Sequence, residues 1–367
     1  MQSKQYLTTH TIDNAHPTTI FSIAPTPTSL ITASGSSTIR IFSTVSNTST
    51  PSDDSGSGAT NAFPLICTLE GAHKLGCHHV ASAADGKRFV SVGFGGEVKV
   101  WEAGEDGASW TERKGVKFGS ANKPPKAGEI WAVALSADGR YLASSSADGR
   151  IGVWDLNAQQ GATAANGAAD ETAAPGGVRR VREYETKRSF GMSVAISSDG
   201  RLTASGHENG SVYIFNNDSG RMMHSLPGLT KPIRTLTFSP ATSLLAAAGD
   251  SRLIALYEVS SGEAVATLSG HTAWILSLDF SATGEWLLST SFDGKAKVWG
   301  MEQRNCVATH GEGSGGSGGG DEAQGKALWC GRWLPKQRGA VGNVRAEMFA
   351  VAGAGMAVSF YREASGG

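Results

Sequence analysis

Cysteine is scarce in this chain. There are four in 367 residues, at Cys67, Cys77, Cys306 and Cys330, and none shares a C-x-x-C spacing with another. This excludes a disulfide framework and the usual spacing of a zinc site. His78-His79 beside Cys77 does not alter that reading, because neighbouring strand residues point to opposite faces and only alternate ones converge. Charge of one sign is missing too: 32 Lys and Arg face 33 Asp and Glu, a net charge of −1. The electrostatic footprint of a general nucleic-acid binder is therefore absent. The one basic run, Val178-Arg179-Arg180-Val181-Arg182, reads as a solvated outer strand. No apolar run resembles a signal peptide or approaches a membrane span, so a soluble, intracellular protein is expected.

What is present is a repeat: an aliphatic pair, small residues, a tight turn, then an alternating strand that ends in an aromatic. Leu287-Leu288-Ser289-Thr290-Ser291-Phe292-Asp293-Gly294 running on to Trp299 is one copy. Tyr141-Leu142-Ala143-Ser144-Ser145-Ser146-Ala147-Asp148-Gly149 running on to Trp154 is another. The closing aromatics stand at Phe42, Trp101, Trp154, Phe215, Tyr257, Trp299 and Tyr361, with spacings of 59, 53, 61, 42, 42 and 62 residues. The two shortest match a four-stranded propeller blade, and the others are blades with insertions. Seven copies predict an all-β, seven-bladed propeller, read as one domain over residues 1–367. The strand beginning Gln5-Tyr6-Leu7 closes the ring by completing the last blade. Flexible insertions are expected at about 46–62, 119–128, 157–177 and 311–325, where Ser, Gly, Ala or Pro dominate. The Gly/Ser run 313–320 has two readings, an engineered replacement of a longer loop or natural low complexity, and no function is attached to it.

In the sixth repeat His271, Ser289, Asp293 and Trp299 form the four-member polar set that WD-repeat propellers share, and the chain resembles that family. A buried Asp needs donors, which His and Ser supply, and the indole offers an N–H and a large apolar face. The other copies are degenerate. The second keeps His73, Ser91 and Trp101 but has Gly95 at the Asp place. The third keeps Ser144, Asp148 and Trp154, with Lys126 near the His place. The first keeps His16 and the fourth has Asn209-Gly210 at its turn, while the fifth and seventh lack the set. Ser, His and Asp together invite a hydrolytic triad, but the trio belongs to a repeat scaffold that the Trp completes. No catalytic residue, metal ligand or cofactor is expected.

A propeller binds through one rim, built by the blade-to-blade and second-to-third strand loops. The residues aligned at the start of each first strand are Phe21, His78, Trp131, Met192, Arg234, Leu276 and Trp329. Glu129, Phe190 and Trp274 lie two positions earlier in their repeats. Phe94, Glu208, Asp250 and Phe292 precede the tight turns. Aromatic and Arg anchors on one rim resemble an interaction hot spot. The predicted partner-binding set is Phe94, Glu129, Trp131, Phe190, Glu208, Arg234, Asp250, Trp274 and Phe292, with the carboxylates expected to pair with a basic residue of a partner. Trp131 and Trp329 have a second reading as plugs of the channel mouth.

Some stretches go further than a generic WD repeat. These are Ala72-His73-Lys74-Leu75-Gly76-Cys77-His78-His79-Val80, Phe190-Gly191-Met192-Ser193-Val194, Ile233-Arg234-Thr235-Leu236-Thr237-Phe238-Ser239-Pro240, His271-Thr272-Ala273-Trp274 and Tyr361-Arg362-Glu363-Ala364. Together they resemble the fungal WD-repeat subunit of the superkiller (Ski) complex. The resemblance implies a scaffold that holds a tetratricopeptide-repeat subunit and an RNA helicase, feeding RNA to the cytoplasmic exosome for 3′-to-5′ mRNA decay. It implies, for fungal members, a nuclear association with the meiotic double-strand-break machinery. Partners in that family present a Gln-Arg pair and a following hydrophobic residue. The alternative is a WD-repeat adaptor or substrate receptor of a ubiquitin-ligase or chromatin complex. Neither reading involves a membrane or direct nucleic-acid contact.

Overall fold

The computed structural model describes residues 5–45, 62–116, 118, 130–158, 173–174, 177–186, 188–311, 326–336 and 346–364. Most of the expected insertions, and Lys126 and Glu129, lie outside the described residues. The described chain is all-β and forms seven antiparallel sheets, the blades of a propeller. The innermost strands, blades 1 to 7, are Ile20–Pro25, Cys77–Ser82, Ile130–Leu135, Gly191–Ile196, Ile233–Phe238, Ile275–Phe280 and Leu328–Trp333. Blade 7 continues with Met348–Gly353 and Val358–Glu363, and its outer strand is Tyr6–Ile12 from the other end of the chain. Tyr6 pairs with Glu363 and Ile12 with Val358 across that junction.

Each blade is sandwiched between two others, which decides its composition from the inside out. Second strands such as Ser29–Ser34 are buried at every position, so both faces carry apolar or small residues. Outer strands meet solvent: Arg221–Leu226 is exposed at four of its six positions. The core is correspondingly divided into seven apolar clusters, one at each blade-to-blade boundary. Seven clusters for seven boundaries means that the ring has no open side. Gly76 marks one close approach between blades: its φ is +86°, and a Cβ there would meet the Gly35 carbonyl oxygen at 2.4 Å.

The four-member set of blade 6 has the expected geometry. His271 bonds Asp293 Oδ2 through Nδ1 at 2.9 Å and Ser289 Oγ through Nε2 at 2.7 Å, and Trp299 Nε1 donates to Ser289 Oγ at 2.8 Å. Burial alone pushes the Asp293 carboxyl up. The His271 bond and charge and the N–H groups of Thr272 and Lys295 outweigh it and bring the pKa down to about 2. In blade 2 the Asp place holds Gly95, yet a carboxylate is present. Glu97, two residues later, reaches His73 Nδ1 at 3.3 Å and accepts from the Lys74 N–H at 3.2 Å. The repeat pattern does not show this substitute, because Glu97 stands two residues beyond the Asp place. Blade 1 replaces the acid with hydroxyls: His16 lies between Thr32 Oγ1 at 2.7 Å and Ser34 Oγ at 2.9 Å.

The structure differs from expectation at one insertion. Within 157–177, Ala173–Ala174 form a short fifth strand pairing with Arg179 and Val178, because the outer strand Val178–Tyr184 offers a free edge there. The basic run lies on that outer strand. Arg182 donates to the carbonyls of Asn217 at 2.7 Å and Asp218 at 2.8 Å, and Arg180 pairs with Glu183.

Candidate protein-interaction site

The innermost strand of every blade carries the same irregularity near its start. In blade 1 the pairing skips from Ile20 to Ser22, leaving Phe21 unpaired, and in blade 6 it skips from Ile275 to Ser277, leaving Leu276. The same break leaves His78, Met192, Arg234 and Trp329 unpaired in blades 2, 4, 5 and 7, and the skip in blade 3 includes Trp131. A bulge re-aims the side chain of its extra residue. Here the seven bulges turn one residue per blade toward the channel mouth, and all seven are half-buried.

These residues and their neighbours on the loops form a continuous chain of ring contacts. Phe190 meets Trp131 at 5.3 Å between centroids, Trp131 meets His78 at 4.7 Å, and His78 meets Phe94 at 4.9 Å. Phe94 then meets Phe21 at 5.3 Å, and Phe21 meets Trp329 at 5.2 Å. Trp329 meets Phe292 at 6.5 Å and Phe292 meets Trp274 at 5.7 Å. The arc ends where the Arg234 guanidinium lies 4.5 Å from the Trp274 ring centre. It passes from blade 4 through blades 3, 2, 1, 7 and 6 to blade 5. A depression of about 950 Å³ opens on it, lined by Phe21, Trp274, Phe292, Trp329 and Asp250, with Lys231 and Arg252 at its edge. Trp274 is 44% exposed and Phe94 37%, high values for aromatic side chains.

Electrostatics on this rim differ from the expected pattern. Asp250 is already engaged: it takes a two-point ion pair from Arg234, Nη2 lying 3.1 Å from Oδ2. The two predicted anchors therefore hold each other. Glu208 is exposed next to Phe190, and its side chain has no bond among the described residues. Lys231 and Arg252, not anticipated, add exposed positive charge beside the depression. His78 is held neutral chiefly by burial and donates from Nε2 to the Trp131 carbonyl at 2.6 Å, which holds the two rings together at a tilt of 35°.

The Ser, His and Asp of blade 6 cannot present a nucleophile. Ser289 is fully buried, and its Oγ already accepts from the Trp299 indole. Among the described residues no three His, Cys, Asp or Glu side chains converge on a point that would hold a metal ion. His78 and His79 separate: the first faces the mouth, and the second accepts the Val133 N–H at 3.3 Å.

Comparison with known proteins places these features in a lineage. The family model "WD domain, G-beta repeat" matches residues 122–155, 220–258 and 262–300. The last two matches each begin one strand outside the blade whose inner strands they contain, which is the offset that leaves the ring to be closed by Tyr6–Ile12. Meiotic recombination protein rec14 of Schizosaccharomyces pombe is 33% identical over 262 residues, covering 71% of this chain and 73% of that protein. Antiviral protein SKI8 of Saccharomyces cerevisiae is 35% identical over 146 residues, covering 34% of this chain and 36% of that one. Ciliary WD repeat-containing protein ctxp80 of Euplotoides octocarinatus is 31% identical over 166 residues, but the match covers only 23% of its length.

Proposed function

Since the chain belongs to the WD-repeat family that includes the fission-yeast meiotic recombination protein rec14, we infer that it is a non-catalytic scaffold whose aromatic rim captures short segments of partner proteins. The single observation that carries this reading is the unbroken arc of aromatic contacts across one rim. Blade packing accounts for Trp131, which packs against the cluster between blades 3 and 4, but not for Phe21, Phe94, Phe190, Trp274, Phe292 or Trp329, which belong to no core cluster. An aromatic lining with a depression and a few charged groups is the composition of a binding hot spot.

The setting we favour is a Ski-like assembly, in which the propeller holds a tetratricopeptide-repeat subunit and an RNA helicase for exosome-linked decay in the cytoplasm. The likeness to antiviral protein SKI8 supports it. The likeness to a protein named for meiotic recombination supports a second setting, in the nucleus, with the same rim serving a meiotic double-strand-break partner.

The test is a pull-down from cell extract with wild-type protein and with Trp274→Ala and Phe190→Ala, read by mass spectrometry. Loss of either ring should weaken capture by about 2 kcal/mol or more, the hot-spot scale, with the unfolding midpoint unchanged. Recovery of a tetratricopeptide-repeat protein and a helicase by the wild type alone supports the assembly and its docking face. Equal recovery by both variants would refute the face, and a ubiquitin-ligase or chromatin set would refute the assembly.

A further inference from the structure

The opposite rim carries a second cavity that the aromatic arc does not explain. It lies where blade 7 meets blade 1, has a volume of about 500 Å³, and is walled by Phe63, Leu334, Pro335 and Met348. Phe63 is fixed there: it stacks on Phe360 at 3.8 Å with the rings 3° from parallel, and His10 leans on it at 5.5 Å. Aromatic stacking fixes this wall of the cavity.

Two further observations converge on the same place. First, four of the ten large apolar side chains exposed among the described residues do not line the cavity but stand within a few residues of its lining in the chain or across a strand pair: Leu7 at 58%, Val45 at 41%, Leu65 at 47% and Ile66 at 39%. Leu7 pairs across the strands with Arg362, Val45 follows the lining residue Thr44, and Leu65-Ile66 follow Phe63 by two residues. A concentration of this kind marks an interaction surface more than scattered single residues do. Second, Arg362 lines the cavity, is exposed, and its side chain has no hydrogen bond or ion pair among the described residues. The other cation there, Lys336, is spent on Glu347 at 3.2 Å. An apolar hole with one free guanidinium at its mouth suits an apolar group carried beside a carboxylate.

We propose that this seam is a second docking site, which takes a partner polypeptide segment bearing an apolar anchor flanked by acidic residues. The two rims then serve different chemistries: the arc offers aromatic faces and the seam offers a cation beside a hydrophobic hole. A scaffold with two unlike sites on opposite faces can bridge two partners without their competing.

The test uses the full chain and a fluorescein-labelled octapeptide with a central Leu-Phe pair between aspartates, read by fluorescence anisotropy. The expected result is saturable binding that weakens with added salt. Arg362→Glu should weaken it at least tenfold, Arg362→Lys should retain most of it, and Trp274→Ala should leave it unchanged. Arg362→Glu protein must keep the wild-type unfolding midpoint, as an exposed position predicts. The proposal is overturned by no saturable binding, by equal binding to Arg362→Glu, or by loss in Trp274→Ala alone. It is also overturned by binding that appears only once residues 46–61 are removed, which would assign the cavity to this chain. An Arg362-dependent dimer in sedimentation would assign it to a second copy. Because the arc variant is a control here, failure of this site and failure of the arc reading are separable.

Discussion

Mild acid should destabilise this propeller, and the buried histidines set how far. His16 is 1% exposed and bonded through both ring nitrogens. Burial first, and then the positive charge of Arg40, lower its pKa to about 4. A histidine that is neutral in the fold but ordinary in the unfolded chain contributes stability that is complete above pH 6.5 and lost as the pH falls toward 4. From pH 7 to pH 5 one such group costs about 2 kcal/mol. His79, lowered to about 3 chiefly by burial, moves the same way. So does His73, where burial outweighs the opposing pull of Glu97. Three such groups amount to about 5 kcal/mol. Asp279 works in the opposite sense. Burial raises its carboxyl to about 6 against the pull of Arg332 and the Trp333 N–H. The folded state therefore keeps a proton that the unfolded chain has released, and this restores about 1 kcal/mol at pH 5. From these four groups alone the net loss is about 4 kcal/mol, a large share of a typical 5–15 kcal/mol stability. Urea unfolding at pH 7, 6 and 5 measures it, and the pH derivative near 5.5 should report uptake of about two protons or more on unfolding, because burial lowers His78, His207 and His310 as well. His16→Gln should lower that uptake by about one. A midpoint independent of pH, or an uptake below one proton in the wild type, would show that these imidazoles are not held neutral and would refute the reasoning.

Two further outcomes follow from the packing. Glu97→Ala leaves the His73 ring and the Lys74 N–H without their acceptor and should cost about 1 kcal/mol in urea unfolding; an unchanged midpoint would make the Glu97 contact incidental. Tyr6 is packed against Trp333 at 5.9 Å and Phe349 at 5.3 Å, so Tyr6→Ala should cost about 3 kcal/mol and expose the first strand to protease; a resistant variant would mean the ring does not depend on that anchor.

The blade count and the closure of the ring were legible because the repeat aromatics keep one register: Leu287 faces Trp299 and Phe349 faces Tyr361 at the same position in their blades. The channel-mouth residues were legible for the same reason, since a bulge repeated in every blade falls at a constant offset in the repeat. Departures from the repeat were not legible. Glu97 takes the place of the missing Asp only because a longer side chain reaches back from two residues away, which needs the folded turn to be seen. The Arg234–Asp250 pair was hidden because each residue reads as a free anchor until the hairpin between them sets Ile233 opposite Gly249. The seam cavity draws on segments far apart in the chain, from Thr9 to Arg362, and no local pattern announces such a meeting.

Closing the last blade with a strand from the other end of the chain sets a schedule for synthesis. Tyr6 and Glu363, partners in the same sheet, are roughly 350 residues apart. A ribosome adding 5–20 residues per second needs about 20 to 70 s to cover that distance. Until then Tyr6–Ile12 waits as a strand with no sheet, its Tyr6 ring bare and its backbone donors unpaired. Through that interval the nascent chain is exposed to wrong pairing at this strand, and a chaperone attending this protein on the ribosome would find a long-lived client site there.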